Sequence, residues 1–181
     1  TVRISEVILE SEPAAKLTLI QALAKGDRDE LAIQAATELG AWGMVPWQSE
    51  RSISRWEGAK VSKGVERWQT IVAEAAKQSL RVFEPVVAQP VSSKQLATMI
   101  GSFDLVLVLD PTAKVGLGNV DLSGENVAIV VGPEGGISDS ELALFEEAGA
   151  TRVNLGAPIL RTSTAGVAAI AVIQAKLGLW S

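Results

Sequence analysis

The sequence predicts an α/β fold with a mostly parallel sheet flanked by helices. Two runs of apolar residues, 105–109 and 127–131, do not alternate with polar residues, which is typical of strands buried on both faces. Segments with apolar side chains at helical spacing separate these runs from other short apolar stretches. Strands that alternate with helices in this way indicate a doubly wound sheet. We expect residues 1–181 to form one domain.

The first elements are predicted to be two strands and a helix. Residues 2–9 and 17–23 are partly alternating apolar stretches, and residues 11–13 between them indicate a turn. A helix is expected to start at residues 25–27 and to stop at Gly40. Its buried face is predicted to consist of the residues at helical spacing: Leu31, Ala32, Ala35, Ala36 and Leu39.

A short strand and a long helix are expected next. The strand consists of Met44 and Val45 and is predicted to end at Pro46, and the polar residues 48–52 are interpreted as a surface loop. The helix is expected to run to residue 78 or 80. Its buried face is predicted from the helical spacing of five residues: Val65, Trp68, Val72, Ala75 and Ala76.

The second half is predicted to contain capped helices between buried strands. Residues 86–87 form a strand fragment, and Ser93 is expected to cap a short helix. Ser138 and Glu141 form a capping box just after the strand at 127–131. The last helix, 165–179, is apolar around nearly its whole circumference, which predicts burial, with a partner subunit as one cover.

The composition restricts the chemistry. The chain has a formal net charge of -5 and contains no Cys, His or Tyr. No thiolate zinc site or cysteine nucleophile is therefore expected, and no metal site is predicted. Signal and membrane-spanning patterns are absent, so we expect a soluble, cytoplasmic protein. The negative charge argues mildly against a nucleic-acid partner, unless the RNA-binding part lies elsewhere.

Two loops form the candidate ligand crevice. The first, residues 132–136, follows a predicted buried strand and contains three glycines that let backbone N–H groups approach a ligand. The second comprises residues 155–162. Neither matches the dinucleotide or phosphate-binding glycine motifs, so a nucleotide phosphate is not the favoured ligand. A tight turn without a ligand remains the alternative for a single such loop.

The same loops carry a family resemblance. VGPEGGIS at 131–138 and LGAPILRTSTA at 155–165 resemble the paired signature of SPOUT-class methyltransferases of the RsmE type. Matching segments also occur earlier in the chain, at 25–28, 37–40, 49–52 and 74–81. The resemblance implies a C-terminal trefoil knot, a homodimer, and S-adenosyl-L-methionine as cofactor. It further implies methylation of N3 of one uridine in 16S ribosomal RNA, in free RNA or the small subunit.

The resemblance also implies which residues bind the cofactor. The candidates come from both loops and the strand end before them: Leu109, Gly132, Pro133, Glu134, Gly135, Gly136, Leu155, Gly156, Ile159, Leu160, Thr162 and Thr164. Ordinary core packing is the alternative for Ile159 and Leu160.

Candidate catalytic and RNA-binding residues are charged or polar. Arg161 is the first candidate to stabilise a uracil anion, with a phosphate clamp or a structural ion pair as alternatives. Glu134 is the candidate proton acceptor, with the amides of its own loop as the competing explanation. Arg51, Gln78 and Arg81 are expected on the RNA side, although each could equally be a solvated surface residue.

The chain departs from the family pattern at three positions. Ala35, Pro158 and Ser163 replace residues that are commonly lysine, arginine and glutamate, so no role is assigned to them. The N-terminal RNA-binding barrel of the family is expected to precede Thr1. A nucleotide-binding enzyme such as a dehydrogenase and a non-catalytic RNA- or partner-binding module are the competing classes.

Overall fold

The computed structural model describes residues 3–122 and 124–180 and arranges their strands in one parallel sheet. Seven strands are described: β1 Lys16–Ala22, β2 Gly43–Gln48, β3 Val86–Val87, β4 Val91–Ser92, β5 Leu105–Leu109, β6 Asn126–Val131 and β7 Thr151–Val153. Five α-helices connect or follow them: α1 Arg28–Glu38, α2 Ala59–Gln78, α3 Ser93–Ile100, α4 Asp139–Glu147 and α5 Thr162–Lys176. The predicted α/β class is confirmed.

The strand order brings late and early strands together. The sheet runs β3-β2-β1-β6-β5-β7, and β4 pairs with the end of β2. Strand β6 therefore lies beside β1, with Val130 opposite Ile20. Because all pairs are parallel, the loops after β1, β6, β5 and β7 leave the sheet at the same edge. Ligands of open α/β sheets bind outside this carboxyl edge.

Helices cover both faces of the sheet. Helices α1, α2 and α5 bury apolar side chains such as Ile33, Trp68 and Ile170 on one face. Helices α3 and α4 cover the other face, where Phe145 meets Trp47 edge-on with ring centroids 5.4 Å apart. Burial on both faces explains why the central strands lack polar alternation.

The predicted helix faces are confirmed for α2 and only partly for α1. The buried residues of α2 are the five predicted ones. In α1, the side chain of Leu31 is half exposed, whereas Ile33 and Thr37 are buried. Thr37 is compatible with burial because its hydroxyl donates to the carbonyl of Ile33 at 2.7 Å. The buried face of α1 therefore includes Ile33 and Thr37 and leaves out Leu31.

The prediction of a strand at residues 2–9 is wrong for the residues that are described. Residues 3–9 belong to no strand or helix, and Ile4 and Leu9 are 75% and 92% exposed. Val2 lies outside the described residues. The apolar alternation is real, but none of the described strands pairs with this segment. Alternation predicts a strand only where a neighbouring edge is free to accept it.

The predicted end of β2 at Pro46 is also wrong, since the strand continues to Gln48. Neighbouring residues explain how the sheet tolerates a proline. The carbonyl of Met44 accepts a hydrogen bond from Ala88 on the β3 side, and Pro46 faces the same side two residues later. There the pairing of β2 passes from β3 to β4. The missing N–H of Pro46 therefore falls in a gap of the ladder.

Serine caps start α3 and α4. Ser138 and Glu141 form the predicted capping box at α4, which is confirmed. For α3 the cap is Ser92 with Gln95, one residue before the predicted Ser93. The hydroxyl of Ser93 instead donates to Glu141 Oε1 at 2.6 Å and so connects the two helices.

Helix α5 begins three residues earlier than predicted and is buried on one side only. Ala169 is fully buried within the chain, whereas Val172 is 38% exposed. Gln174 is also buried and donates to the carbonyl of Leu39 at 3.1 Å. Lys176 Nζ donates to the carbonyls of Gly118 and Val120, between β5 and β6. These contacts are consistent with the predicted knot, which stays a prediction.

Among the described helices, none has the length and hydropathy to span a membrane.

We predict that Gly166→Val destabilises the fold by about 1–3 kcal/mol or more, because overpacking a filled core forces its neighbours to move. A Cβ at Gly166 would lie 2.8 Å from Leu19 Cδ1 and 3.1 Å from Val131 Cγ2. Urea unfolding of Gly101→Val provides the control, since a Cβ at Gly101 meets nothing within 4 Å. Equal midpoints for the two variants would contradict the packing of α5 on β1 and β6.

Candidate functional site

A pocket of about 610 Å³ lies at the carboxyl edge of the sheet. The loops after β5, β6 and β7 form its walls, and the first turn of α5 closes one end. This volume is in the range of pockets that bind small molecules and cofactors. The edge and the loops are those predicted from the sequence.

The glycine loop after β6 approaches neighbouring groups too closely for side chains. A Cβ at Gly132 would lie 2.7 Å from Ile137 Cγ1, and one at Gly135 would lie 3.3 Å from the Cβ of Arg51. Gly136 has a φ of +73°, which favours glycine. The loop therefore presents backbone to the pocket, and its conformation depends on these glycines.

The loop after β7 is joined to the glycine loop by one hydroxyl group. Thr162 Oγ1 donates to the carbonyl of Gly132 at 2.8 Å and accepts from Gln21 Nε2 at 2.8 Å. Gln21 lies on β1 and is fully buried. The hydroxyl thus connects β1, the end of β6 and the start of α5. Before it in the same loop, Ile159 is 79% exposed at the pocket.

Glu134 forms an ion pair at the pocket wall. Arg28 Nη1 lies 2.8 Å from Glu134 Oε1, and the backbone N–H of Lys25 donates to the same oxygen at 3.1 Å. Burial raises the pKa of Glu134, but hydrogen bonds from its own N–H, from Arg28 and from Lys25 outweigh it and lower the pKa below its ordinary value. The carboxylate therefore stays charged and fastens the glycine loop to the loop after β1.

Arg51 is positioned by a polar network around the start of α4. Ser138 Oγ donates to Glu50 Oε2 at 2.6 Å, and the N–H of Glu50 donates to Glu141 Oε1 at 2.7 Å. Hydrogen bonds from Ser138 and then Ser140 lower the pKa of Glu50. Next in the chain, Arg51 Nη1 donates to the carbonyl of Gly135 at 3.1 Å. The prediction of a surface loop at 48–52 is therefore only partly right, since Gln48 ends β2, Ser49 and Ser52 are buried through a hydrogen bond between their hydroxyls, and Arg51 lines the pocket.

Asp110 and Arg152 stiffen the third side of the pocket. Arg152 Nε donates to Asp110 Oδ2 at 2.8 Å, and the N–H of Thr112 donates to Asp110 Oδ1 at 3.0 Å. Burial raises the pKa of Asp110, but its bonds with Thr112 and Arg152 outweigh this and lower it. The residue is 7% exposed. It therefore acts as an ionised anchor for the loop after β5.

Most predicted cofactor residues line the pocket. The structure brings together Leu109, Gly132, Pro133, Glu134, Gly136, Leu155, Gly156, Ile159, Leu160 and Thr162. Gly135 and Thr164 do not line it. The carbonyl of Gly135 accepts a hydrogen bond from Arg51 Nη1. The catalytic candidate Arg161 lines the pocket as N-cap of α5, and its exposed side chain has no hydrogen bond or ion pair with any described residue.

The structure does not bring the three predicted RNA-binding residues together. Arg51 lines the pocket, whereas Gln78 ends α2 at the opposite edge of the sheet. Arg81 lies at that opposite edge too, where its Nη1 donates to the carbonyls of Thr37 and Ala41. Burial lowers the pKa of Arg81. Contact of Gln78 and Arg81 with RNA stays a prediction.

Sequence reasoning missed several pocket residues. These include Arg28, Asp110, Ile137 and Pro158. A signal existed for Asp110, which directly follows a predicted buried strand, where side chains reach the carboxyl edge. For Arg28 the signal was the family match at 25–28, which gave no position for the side chain because that position depends on β1 and β6 being neighbours.

Comparisons with known proteins point to one family. A family model described as an RNA methyltransferase domain matches residues 10–174. Ribosomal RNA small subunit methyltransferase E of Mycobacterium bovis is 39% identical over 91% of this chain, and the chain covers 64% of that protein. The enzyme of the same name from Bacillus subtilis is 36% identical over 88% of the chain, which covers 65% of it. The chain thus spans just under two thirds of these relatives.

A solved structure shares the fold. Ribosomal RNA small subunit methyltransferase E from Neisseria gonorrhoeae, bound to S-adenosyl methionine, superimposes with a TM-score of 0.83 at 34% identity. The match covers 90% of this chain and 66% of that one.

We predict that Thr162→Val destabilises the protein by about 1–3 kcal/mol, because it leaves the buried Gln21 amide and the Gly132 carbonyl without this partner. Thr162→Ser keeps the hydroxyl and should retain most of the stability. Urea unfolding of both variants measures the difference. If Thr162→Val and Thr162→Ser lower the free energy of unfolding equally, the hydroxyl does not hold the two loops together.

Proposed function

The chain belongs to the RNA methyltransferase family, and from this premise we propose that it transfers a methyl group from S-adenosyl-L-methionine to ribosomal RNA of the small subunit. The finer proposal is that N3 of a uridine is the acceptor. We further propose that residues 1–181 form a SPOUT-type methyltransferase domain with a C-terminal knot.

The observation that carries the proposal is the pocket formed by the two loops. The loops that line it, 132–136 and 155–162, are those of the family resemblance, and they offer backbone groups and apolar side chains. Arg28, Arg51 and Arg161 are the basic side chains among the residues that line it. Asp110, Glu134 and Asp139 also line the pocket and balance these arginines. The pocket therefore fits a ligand with an aromatic base and a zwitterionic tail better than a polyphosphate.

The residues present fit S-adenosyl-L-methionine. We propose that Leu155, Ile159 and Leu160 contact the adenine and that Gly132 and Gly136 approach the ribose and methionine parts. The bound cofactor supplies an electrophilic methyl group on a sulfonium, whose leaving group is a neutral thioether. Little acid-base chemistry is needed at the sulfur, so the protein contributes mainly proximity and alignment. Gly135 and Thr164 do not line the pocket, and we propose that they affect cofactor binding only through the conformation of the loops.

Arg161 is the proposed catalytic residue. Uracil N3 must lose a proton, which passes to solvent water, to become nucleophilic, and a nearby cation stabilises the resulting anion. The Arg161 guanidinium lies at the pocket, exposed and without a side-chain partner among the described residues. Glu134, the candidate proton acceptor, is already paired with Arg28, and its lowered pKa makes it a weaker base. We therefore assign the catalytic role to Arg161, and Glu134 chiefly holds the glycine loop in position.

We propose a homodimer through the exposed side of α5. Val172 is 38% exposed there, and Trp180 beyond the helix is 53% exposed. Ala169 is excluded from this surface because it is fully buried in its own chain. An isologous contact of two such surfaces would bury apolar area from both copies.

We predict that the chain binds S-adenosylmethionine and S-adenosylhomocysteine, but neither NAD nor ATP, and that Gly136→Val abolishes this binding. The substitution places a branched side chain in the pocket and strains a backbone at φ +73°. Gly149→Val is the matched control, since its φ is +104° and its Cβ meets nothing within 4 Å. Calorimetry that gives equal cofactor affinity for the two variants would overturn the assignment of this loop.

We predict that Arg161→Ala lowers the single-turnover methylation rate of small-subunit RNA about 100-fold, in line with the loss of one charge-stabilising donor. Cofactor affinity should change little. Arg161→Lys should recover the rate only in part, because a point charge lacks the planar fork of the guanidinium. A loss confined to cofactor affinity would make Arg161 a support of the loop, and full activity of Arg161→Ala would remove it from the mechanism.

A further inference from the structure

Basic residues are concentrated in one segment of an acidic chain. Residues 51–67 contain five Lys or Arg and two Asp or Glu. The rest of the chain contains eleven basic and nineteen acidic residues. The net charge of -5 therefore hides a local excess of positive charge. Such a patch is the electrostatic footprint of a phosphate-binding surface.

The segment forms one wall of a second cleft. This cleft has a volume of about 380 Å³ and lies between the loop after β1 and the first turns of α2. Its basic side chains are Arg55, Lys60, Lys63 and Arg67. Residues 60, 63 and 67 are three and four positions apart, so they share one face of the helix.

Aromatic packing fixes the loop before α2 onto that helix. Trp56 packs on Gly64 of α2, where a Cβ would lie 2.5 Å from its ring. Its ring centroid lies 5.4 Å from that of Trp68, in an edge-on arrangement. The N–H of Trp56 also donates to Gln48 Oε1 at 3.0 Å. The loop that carries Arg55 is therefore fixed to the helix that carries the lysines.

Two of the four cations are free to bind an external anion. Arg67 forms a two-pronged ion pair with Glu30, at 2.8 Å for the shorter contact to Oε2. Arg55 Nη2 donates to the carbonyl of Glu50 at 3.1 Å. Lys60 and Lys63 are exposed, and neither ammonium has a hydrogen bond or ion pair within the described chain. The lysines therefore supply most of the available charge.

The acidic residues of the cleft already have partners. Asp29 is 5% exposed and accepts hydrogen bonds from the backbone N–H groups of Ala24 and Glu30. Burial raises the pKa of Asp29 to about 6. Glu30 is the partner of Arg67. Neither carboxylate therefore neutralises the two lysines.

The cleft and the pocket share two loops. Gly26 and Asp29 line the cleft, and Arg28 between them lines the pocket. In the same way, Arg51 lines the pocket while Arg55 lines the cleft. An RNA strand whose target base meets the cofactor at the mouth of the pocket would thus have its neighbouring nucleotides beside the lysines.

We propose that this cleft binds backbone phosphates of single-stranded RNA next to the nucleotide that enters the pocket, with Lys60 and Lys63 as the main contacts. The proposal rests on the proposed function, because it takes RNA as the substrate. A base must leave its stack to reach a pocket at the edge of a sheet, and its flanking backbone must then be held. A basic groove next to the pocket supplies this hold without reading the sequence.

The test is RNA binding by the chain in which Lys60→Ala and Lys63→Ala are combined. Anisotropy of a short fluorescein-labelled single-stranded RNA should show binding about tenfold weaker than that of the unmodified chain. The slope of log affinity against log salt should also decrease by about 1.4, since each phosphate contact on a single strand contributes about 0.7. The matched control combines Lys77→Ala and Lys94→Ala, which removes equal charge from exposed positions outside the cleft.

Equal RNA affinity and equal salt slope in the cleft variant and the control would overturn the proposal. It would equally be overturned if the unmodified chain showed no salt-dependent binding of this RNA. Calorimetry with S-adenosylhomocysteine on the same samples separates this result from a failure of the proposed function. If the cleft variant binds S-adenosylhomocysteine and RNA as well as the control does, only the proposal for the cleft is overturned. If the unmodified chain does not bind S-adenosylhomocysteine, the methyltransferase assignment is overturned.

Discussion

The hydroxyl group of Thr162 holds together the parts of the chain that form the pocket. It donates to the carbonyl of Gly132 and accepts from the amide of Gln21, so three segments far apart in sequence meet at one buried point. This point fixes the positions of the glycines of the first loop, of the exposed Ile159 and of the N-cap Arg161. Because the bond lies in the interior of the fold, the site depends on α5 packing against β1 and β6.

The pocket and the neighbouring cleft offer two different kinds of binding surface. The pocket offers backbone and apolar groups, its Arg28 is paired with Glu134, and Arg161 is a cation there without a partner among the described residues. The neighbouring cleft concentrates positive charge in Lys60 and Lys63, which have no acidic partner among the described residues. Such a division suits a transfer between a small cofactor and a polyanion, since the cofactor needs orientation and the polymer needs neutralised phosphates.

The sequence predicted the parts that depend on local pattern. The buried runs became β5 and β6, and the five-residue face of α2 and the Ser138–Glu141 cap were confirmed. The parts that it could not predict depend on strand order. Residues 3–9 have the alternation of a strand without a described strand beside them, and Pro46 lies in β2 because the neighbouring pairing is interrupted there. The contribution of Arg28 required β1 and β6 to be neighbours, and the lysine cleft required the loop after β1 to lie beside α2.

The central claim is that the two loops form one cofactor site at the carboxyl edge of the sheet. A crystal structure of the chain with S-adenosylhomocysteine tests it most directly. We expect the ligand between residues 132–136 and 155–162, with its adenine against Leu155 and Leu160 and its sulfur facing the side of Arg161. Ligand density outside this pocket, or contact with only one of the two loops, would contradict it.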